Sequence, residues 1–193
     1  MISAPSGAGK TTLCDALRKS EDFHYAVSCT TRAPRAGEID GKDYYFISEE
    51  EFTAKVAADE FLEYAGVHLH RYGTLKAPVL EHLLKGNDVL MDIDTVGAET
   101  IRKCANPIIQ NALADVFLIP PSLEELQHRL TKRGTESPTE IQTRLHNAET
   151  EIKKWCHYRY IIISHSIEDN IVAFRSILRA ERCLTRRYQS ISL

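Results

Sequence analysis

The run Ala4-Pro5-Ser6-Gly7-Ala8-Gly9-Lys10-Thr11-Thr12 sets two glycines, a lysine and two threonine hydroxyls between an apolar start and the opening of a helix. This is the pattern of a phosphate-binding loop, with Ala4 in place of the usual first glycine. Gly7 and Gly9 allow a tight turn in which successive N–H groups point at one phosphate. The following helix adds the partial positive charge of its N-terminus. Lys10 is placed to neutralise the β- and γ-phosphates of a nucleoside triphosphate, and the Thr11 hydroxyl to ligate Mg²⁺. The Ala4 methyl is tolerable if it points away from the phosphates.

A second group lies in Ser28-Cys29-Thr30-Thr31-Arg32-Ala33-Pro34-Arg35-Ala36-Gly37-Glu38 and Gly41-Lys42-Asp43-Tyr44-Tyr45-Phe46. Two arginines three apart, with hydroxyls and a tyrosine nearby, suit a single phosphate monoester, because guanidinium forks bind phosphate bidentately. Taken alone, the segment suits an ordinary basic surface loop equally well. A third feature is Asp92 after Val89-Leu90-Met91, an acid at the end of an apolar strand, which is where such folds hold Mg²⁺ directly or through water. Asp92 and Asp94 share a strand face, since side chains alternate. His68 and His70 have no third partner at ligand spacing and read as structural.

These groups need elements to hold them. The pattern predicts a short strand over 1–4, a helix over about 10–19, a short strand at 26–28, a strand at 43–47 and a helix from Ser48 through about 58. Ser48 with Glu51 forms a capping box there. Further strands are expected at 61–65, 89–94, 115–119 and 160–163. Helices are expected at 76–86, 97–104, from Ser122 to about 132, through about 155, and over 167–187. Buried apolar strands alternating with helices imply an α/β fold with a doubly wound parallel sheet. The first strand is short for a central one, which fits either a truncated strand or a start upstream of Met1.

The chain has 193 residues, enough for one domain with small inserted lobes. Its net charge of −3 provides no overall basic field for nucleic acid or an anionic membrane. Five scattered cysteines, without C-x-x-C spacing, read as thiols in a reducing cytoplasm. Neither a membrane-spanning run nor a signal peptide is visible. The oligomeric state is open between monomer and homo-oligomer.

The order of the motifs resembles the guanylate kinases, P-loop nucleoside monophosphate kinases. The matching pieces are the phosphate loop, S-x-T-T-R-x-P-R-x-G-E, G-x-x-Y-x-F, F-L-E-Y-A, Y-G-T, D-I-D-x-x-G-A, P-P-S and R-x-x-x-R-G. They span essentially the whole chain. The resemblance implies ATP:GMP phosphotransfer with ATP and Mg²⁺. It implies a core over about 1–25, 74–128 and 145–193, a β-rich GMP-binding insert over about 26–73, and a helical lid over about 129–144. Arg32, Arg35 and Tyr44 would hold the GMP phosphate, and Ser28, Glu63, Tyr72, Thr74 and Asp94 would complete the acceptor site. The chemistry fits: a Glu63 carboxylate can accept from guanine N1–H and N2–H, hydroxyls of Ser28 and Thr74 can donate to O6, and Asp94 can take the other N2 proton. Arg129, Arg133 and Arg144 would be lid arginines meeting the transferring phosphoryl group.

The chain departs from the family pattern at Leu69-His70, at Val96 in D-I-D-x-x-G-A, and at Ser164-His165 after the last strand. Two other readings bear on the same residues. A P-loop kinase acting on a different small phosphate would not need the purine-reading set of Ser28, Glu63, Thr74 and Asp94. A scaffold binding module of the same fold characteristically loses the loop and lid residues retained here.

Overall fold

The computed structural model describes residues 1–19, 23–67, 69–133 and 137–187. They fall into two compact units, one built from residues 20–113 with Met1 and the other from residues 2–19 and 114–193.

The second unit is α/β. Its sheet contains β1 (Ile2–Ser3), β8 (Val116–Ile119) and β9 (Tyr160–Ile163), all parallel, in the order β1-β8-β9. Ile2 pairs with Val116, and Val116 with Tyr160. Parallel strands buried on both faces read as continuous apolar runs, and Val116, Phe117 and Leu118 are fully buried. Helix α1 (Lys10–Leu17) buries Leu13, Cys14 and Leu17 and packs on α8 (Ile167–Arg182), which also covers β9. Helices α6 (Leu123–Arg133) and α7 (Pro138–Ile152) pack through Leu126, Leu130 and Ala148, with Ile141 and Leu145 beside them. A 3₁₀ turn follows each of α7 and α8, over Lys153–His157 and Thr185–Arg187. The helix expected to run to 187 therefore ends at Arg182. Below it, buried Glu181 accepts from the Tyr160 hydroxyl (2.7 Å) and pairs with Arg159 (3.1 Å) and Arg187.

The first unit contains β2 (His24–Tyr25), β3 (Cys29–Thr30), β4 (Tyr45–Phe46), α2 (Glu49–Ala57), β5 (Phe61–Val67), β6 (His70–Leu75), α3 (Lys76–Leu84), β7 (Val89–Leu90), α4 (Thr95–Arg102) and α5 (Pro107–Ala112). Its main sheet has the order β4-β3-β6-β5, with β3 antiparallel to β6 and β6 antiparallel to β5, while β2 and β7 form a parallel pair. Cys29, Phe52 and Phe61 form its core, with Ile47, Val56 and Leu75 against them. Helix α4 packs on β5, and α3 on α5.

Several elements differ from expectation. The strand anticipated at 26–28 is split, with β2 before it and β3 after it. The strand anticipated over 89–94 pairs with β2 at Val89–Leu90 and keeps a single bridge at Asp92, because Asp94 is already the N-cap of α4. Strand β6 and helix α5 were not anticipated at all. At α2, Ser48 accepts from the Glu51 N–H (3.0 Å) as expected, and Ser122 accepts from Glu125 N–H (3.1 Å) at α6. The reciprocal capping box is at Ser137 and Glu140 of α7.

Candidate functional site

The phosphate loop joins β1 to α1. Gly7 and Gly9 have φ of 86° and 98°, a left-handed conformation that only glycine adopts cheaply. Gly7 has a second reason to be glycine: a Cβ there would stand 2.8 Å from Leu130 Cδ2 and 2.9 Å from Leu126 Cδ1. The α6 core thus presses against the loop. The Ala8 N–H donates to Pro5 O (3.2 Å), closing the turn. Ala4, Pro5 and Ala8 are buried, and Thr11 and Thr12 are exposed on the first turn of α1, which Lys10 opens.

Helix α7 holds the loop at two atoms of one residue. Glu151 Oε2 accepts from the Ser6 N–H (3.3 Å), and Arg144 Nη1 donates to Ser6 Oγ (2.8 Å). Arg129 is held more tightly still. Its Nε donates to Glu125 (2.8 Å), Nη1 to Ser164 Oγ (3.2 Å) and Ala8 O (3.5 Å), and Nη2 to Ser164 O (2.8 Å). Asn170 Nδ2 donates to the same Ser164 Oγ (3.1 Å). Ser164, a departure from the family pattern, therefore ties α6, α8 and the loop together. Arg133 closes α6; its side chain, and the loop at 134–136, lie outside what the structure describes, as does His68.

In the other unit, Ser28, Thr74 and Glu63 form a row across β6 and β5. The Thr74 hydroxyl donates to Glu63 Oε1 (2.7 Å), and Ser28 Oγ lies 3.3 Å from Thr74 Oγ1. Thr74 has one hydroxyl proton, already given to Glu63, so Ser28 is the donor in the second bond. Thr74 is 1% exposed and Glu63 6%. A carboxylate so deeply buried needs such partners. The register explains its direction: Phe61 pairs with Leu75 and Glu63 with Thr74, so Leu62 is an extra residue in β5. This bulge re-aims the strand, and Glu63 stands beside Thr74 rather than on the solvent face. Asp94 lies half-buried at the start of α4, where its Oδ1 accepts from Val96 N–H (2.9 Å) and Gly97 N–H (2.7 Å). Val96, another departure, is exposed and gives only its backbone to this cap. Asp92 is half-buried two residues earlier.

Arg32, Tyr44 and Tyr72 form a second cluster. The Arg32 guanidinium lies 5.6 Å from the Tyr44 ring centre, and the Tyr44 and Tyr72 rings meet edge-on at 5.8 Å. Arg32 also donates to Glu38 Oε1 (2.8 Å) and Ala33 O (2.7 Å). Glu38 Oε2 accepts from the Arg35 N–H (2.7 Å). The bond from Arg32, then that from the Arg35 backbone, holds the Glu38 carboxyl below the usual carboxylate range. The same bond to Glu38 raises Arg32 further. Arg35 itself is exposed. Glu38, Glu151 and Gly97 were not singled out from the sequence, although Glu38 lies within the motif that contains the arginines.

No three His, Cys, Asp or Glu side chains among the described residues form a metal cage. The Thr11 hydroxyl in one unit and the Asp92 carboxylate in the other are each hard oxygen donors.

The guanylate kinase family model matches residues 1–181. A guanylate kinase of Caldanaerobacter subterraneus subsp. tengcongensis is 44% identical over 100% of this chain and 92% of its own length. One from Thermotoga maritima is 41% identical over 98% of this chain and 89% of its own. The crystal structure of guanylate kinase from Anaplasma phagocytophilum superposes with a TM-score of 0.77 at 32% identity, covering 96% of this chain and 86% of that one. With that family model over residues 1–181 and relatives more than 40% identical across nearly its whole length, the chain belongs to the guanylate kinase family.

Proposed function

We infer that the protein transfers the γ-phosphoryl group of ATP to GMP, giving ADP and GDP. The observation that carries this reading is the Ser28-Thr74-Glu63 row, a buried acid served by two hydroxyls. In the ligand-free row the Thr74 proton goes to Glu63. When guanine enters, its N1–H and N2–H take over the carboxylate, and the Thr74 and Ser28 protons are released to turn toward O6. Asp94 Oδ1 is committed to capping α4, so the remaining N2 proton goes to its second oxygen. Adenine offers neither N1–H nor a 2-amino group and would leave these buried acceptors unpaired, a mismatch that can discriminate by about 10⁴–10⁵. Tyr72 and Tyr44 flank Arg32, and with Arg35 they bind the acceptor phosphate; exposed Arg35 is the arm that reaches for it.

On the donor side, the loop from Ala4 to Thr12 cradles the ATP phosphates, with Lys10 supplying a point charge. Thr11 and Asp92 would hold Mg²⁺, which supplies charge neutralisation at the β- and γ-oxygens. Arg129, Arg133 and Arg144 belong to a lid over about 129–144 that excludes water and stabilises the charge on the transferring group. The GMP-binding insert spans about 26–73, and the core is a doubly wound parallel sheet over the rest. Five free thiols fit a reducing cytoplasm, and no helix among the described residues is long and apolar enough to cross a membrane.

An ADP-release assay across GMP, AMP, UMP and ribose phosphates tests the reading. GMP should be preferred by orders of magnitude. Release supported best by a ribose phosphate, or by no acceptor, overturns it.

A further inference from the structure

We propose that Gly97 is a positioning residue for base selection: by having no side chain, it leaves the space in which the Glu63 carboxylate sits. This rests on Glu63 reading guanine as inferred above. A Cβ at Gly97 would stand 2.5 Å from Glu63 Oε2 and 3.1 Å from its Cδ. Separations under about 3 Å do not occur between real Cβ atoms and their neighbours, so one side must move. The helix cannot yield easily. Its first turn is pinned by Asp94, whose Oδ1 holds the Gly97 N–H at 2.7 Å. Behind it, the same Cβ would meet Ile93 Cγ2 at 2.7 Å, and Ile93 is buried. The carboxylate is therefore what would be displaced.

Gly97 is not glycine for the sake of its backbone. It lies inside α4 and has no positive φ, where glycine is disfavoured relative to alanine. The close approach supplies the reason for glycine here. It lets β5 and α4 pack with Glu63 between them, and it brings the acid to the N-terminal turn of α4, whose partial positive charge favours an anion there. Glu63 is thus aimed from two sides: the Leu62 bulge turns it toward Thr74, and the bare Cα of Gly97 receives its other oxygen. Gly97→Ala would pull Oε1 off the Thr74 hydroxyl and misplace both acceptors meant for N1–H and N2–H. A displacement near 1 Å at a recognition site costs on the order of 10²-fold.

The test is steady-state kinetics of Gly97→Ala with GMP, IMP and ATP, together with thermal melting. IMP keeps N1–H and O6 but lacks the 2-amino group. The expected result is a GMP kcat/KM lower by about 10–10²-fold, an ATP KM changed by less than about twofold, and a narrowed GMP:IMP ratio. In a Glu63→Ala background the same substitution should add little, since the side chain it collides with is already gone. Unchanged GMP kinetics, equal losses for GMP and ATP, or simple multiplication of the two variants' effects would overturn the proposal. Should Gly97→Ala fail to fold, Glu63→Ala/Gly97→Ala decides. Recovered folding locates the collision at Glu63, whereas continued failure assigns the glycine to Ile93 packing and refutes the proposal. A wild-type protein that does not phosphorylate GMP would instead refute the function inferred above, and the coupling between positions 63 and 97 would remain readable by melting.

Discussion

The two nucleotide sites are built from different material. The donor loop is made of backbone: two glycines in left-handed conformation, N–H groups at a helix start, and a serine whose N–H and hydroxyl are held by Glu151 and Arg144. The proposed acceptor site is made of side chains on strands and on the loops beside them: a serine, a threonine and a glutamate in a row, and two tyrosines around an arginine. Backbone grips what all nucleoside triphosphates share, the phosphates. In the proposed acceptor site side chains would read what distinguishes one nucleoside monophosphate from another, the base edge. Each lost side chain in the acceptor site should therefore change which substrate is used, whereas a lost side chain in the donor loop should change how fast the reaction runs.

Lys10→Ala gives the sharpest view of that contrast. It removes the one charged side chain of the loop and leaves the N–H cradle in place. Turnover should fall by about 10²–10³-fold with the fold intact and ATP still binding, as read by kinetics alongside calorimetric titration. A folded variant with near-normal turnover would break the comparison on the donor side. Glu63→Gln comes next. It keeps the volume but turns one acceptor into an NH₂ donor facing the guanine donors. GMP kcat/KM should fall by about 10²-fold, with much less loss for AMP. An unchanged GMP/AMP ratio would mean that the side-chain row does not read the base. Arg35→Ala should raise the GMP KM about ten- to hundredfold, the worth of a charge-assisted contact, and leave the ATP KM within about twofold. Comparable losses for both nucleotides would show that the two sites are not separately built.

The smallest effect concerns pH. Glu38 is held below the ordinary carboxylate range by Arg32 and the Arg35 N–H. Its contribution is present above that range and is lost as pH falls through the depressed value. The pair is partly exposed, so the contribution should stay below about 1 kcal/mol. Urea midpoints of the wild type and Glu38→Gln should differ near neutrality and converge on acidification. A difference that persists in acid would assign Glu38 a role other than holding the arginine loop.

The same contrast governs what the sequence reveals. The donor loop is contiguous, so its residue types, spacing and neighbouring elements are visible in one stretch, and α1 begins at Lys10 as expected. The acceptor site is assembled from segments up to 66 residues apart, from Ser28 to Asp94, and its members were reached through resemblance. Strand β6 escapes notice because His70-Arg71-Tyr72-Gly73-Thr74-Leu75 has no apolar alternation; it is a strand because β3 and β5 pair with it on either side. Helix α5 was missed although its signal is plain: Asn106 caps Ile108 and Ile109 N–H, and Pro107 sits at the first turn, where its missing N–H costs nothing. Asp94 invited a ligand role from its motif while serving as a helix cap, the commoner use of an aspartate before such a turn. Gly97 is visible in the sequence as the glycine of D-I-D-x-x-G-A, but its reason is not, since that lies in a strand more than thirty residues earlier.

The pairing of Ile2 with Val116 carries a consequence for biosynthesis. Val116, the β8 partner of Ile2 in the strand that enters the phosphate loop, is made 114 residues after it, roughly 6–23 s later at about 5–20 residues per second. The loop's serine then waits for Arg144 and Glu151, and α1 waits for α8. Over the same interval residues 20–113, which belong to one compact unit, are all made. The nascent chain thus holds every residue of the unit that carries Ser28, Glu63 and Thr74 before Val116, on which the sheet beside the phosphate loop is built, has been made.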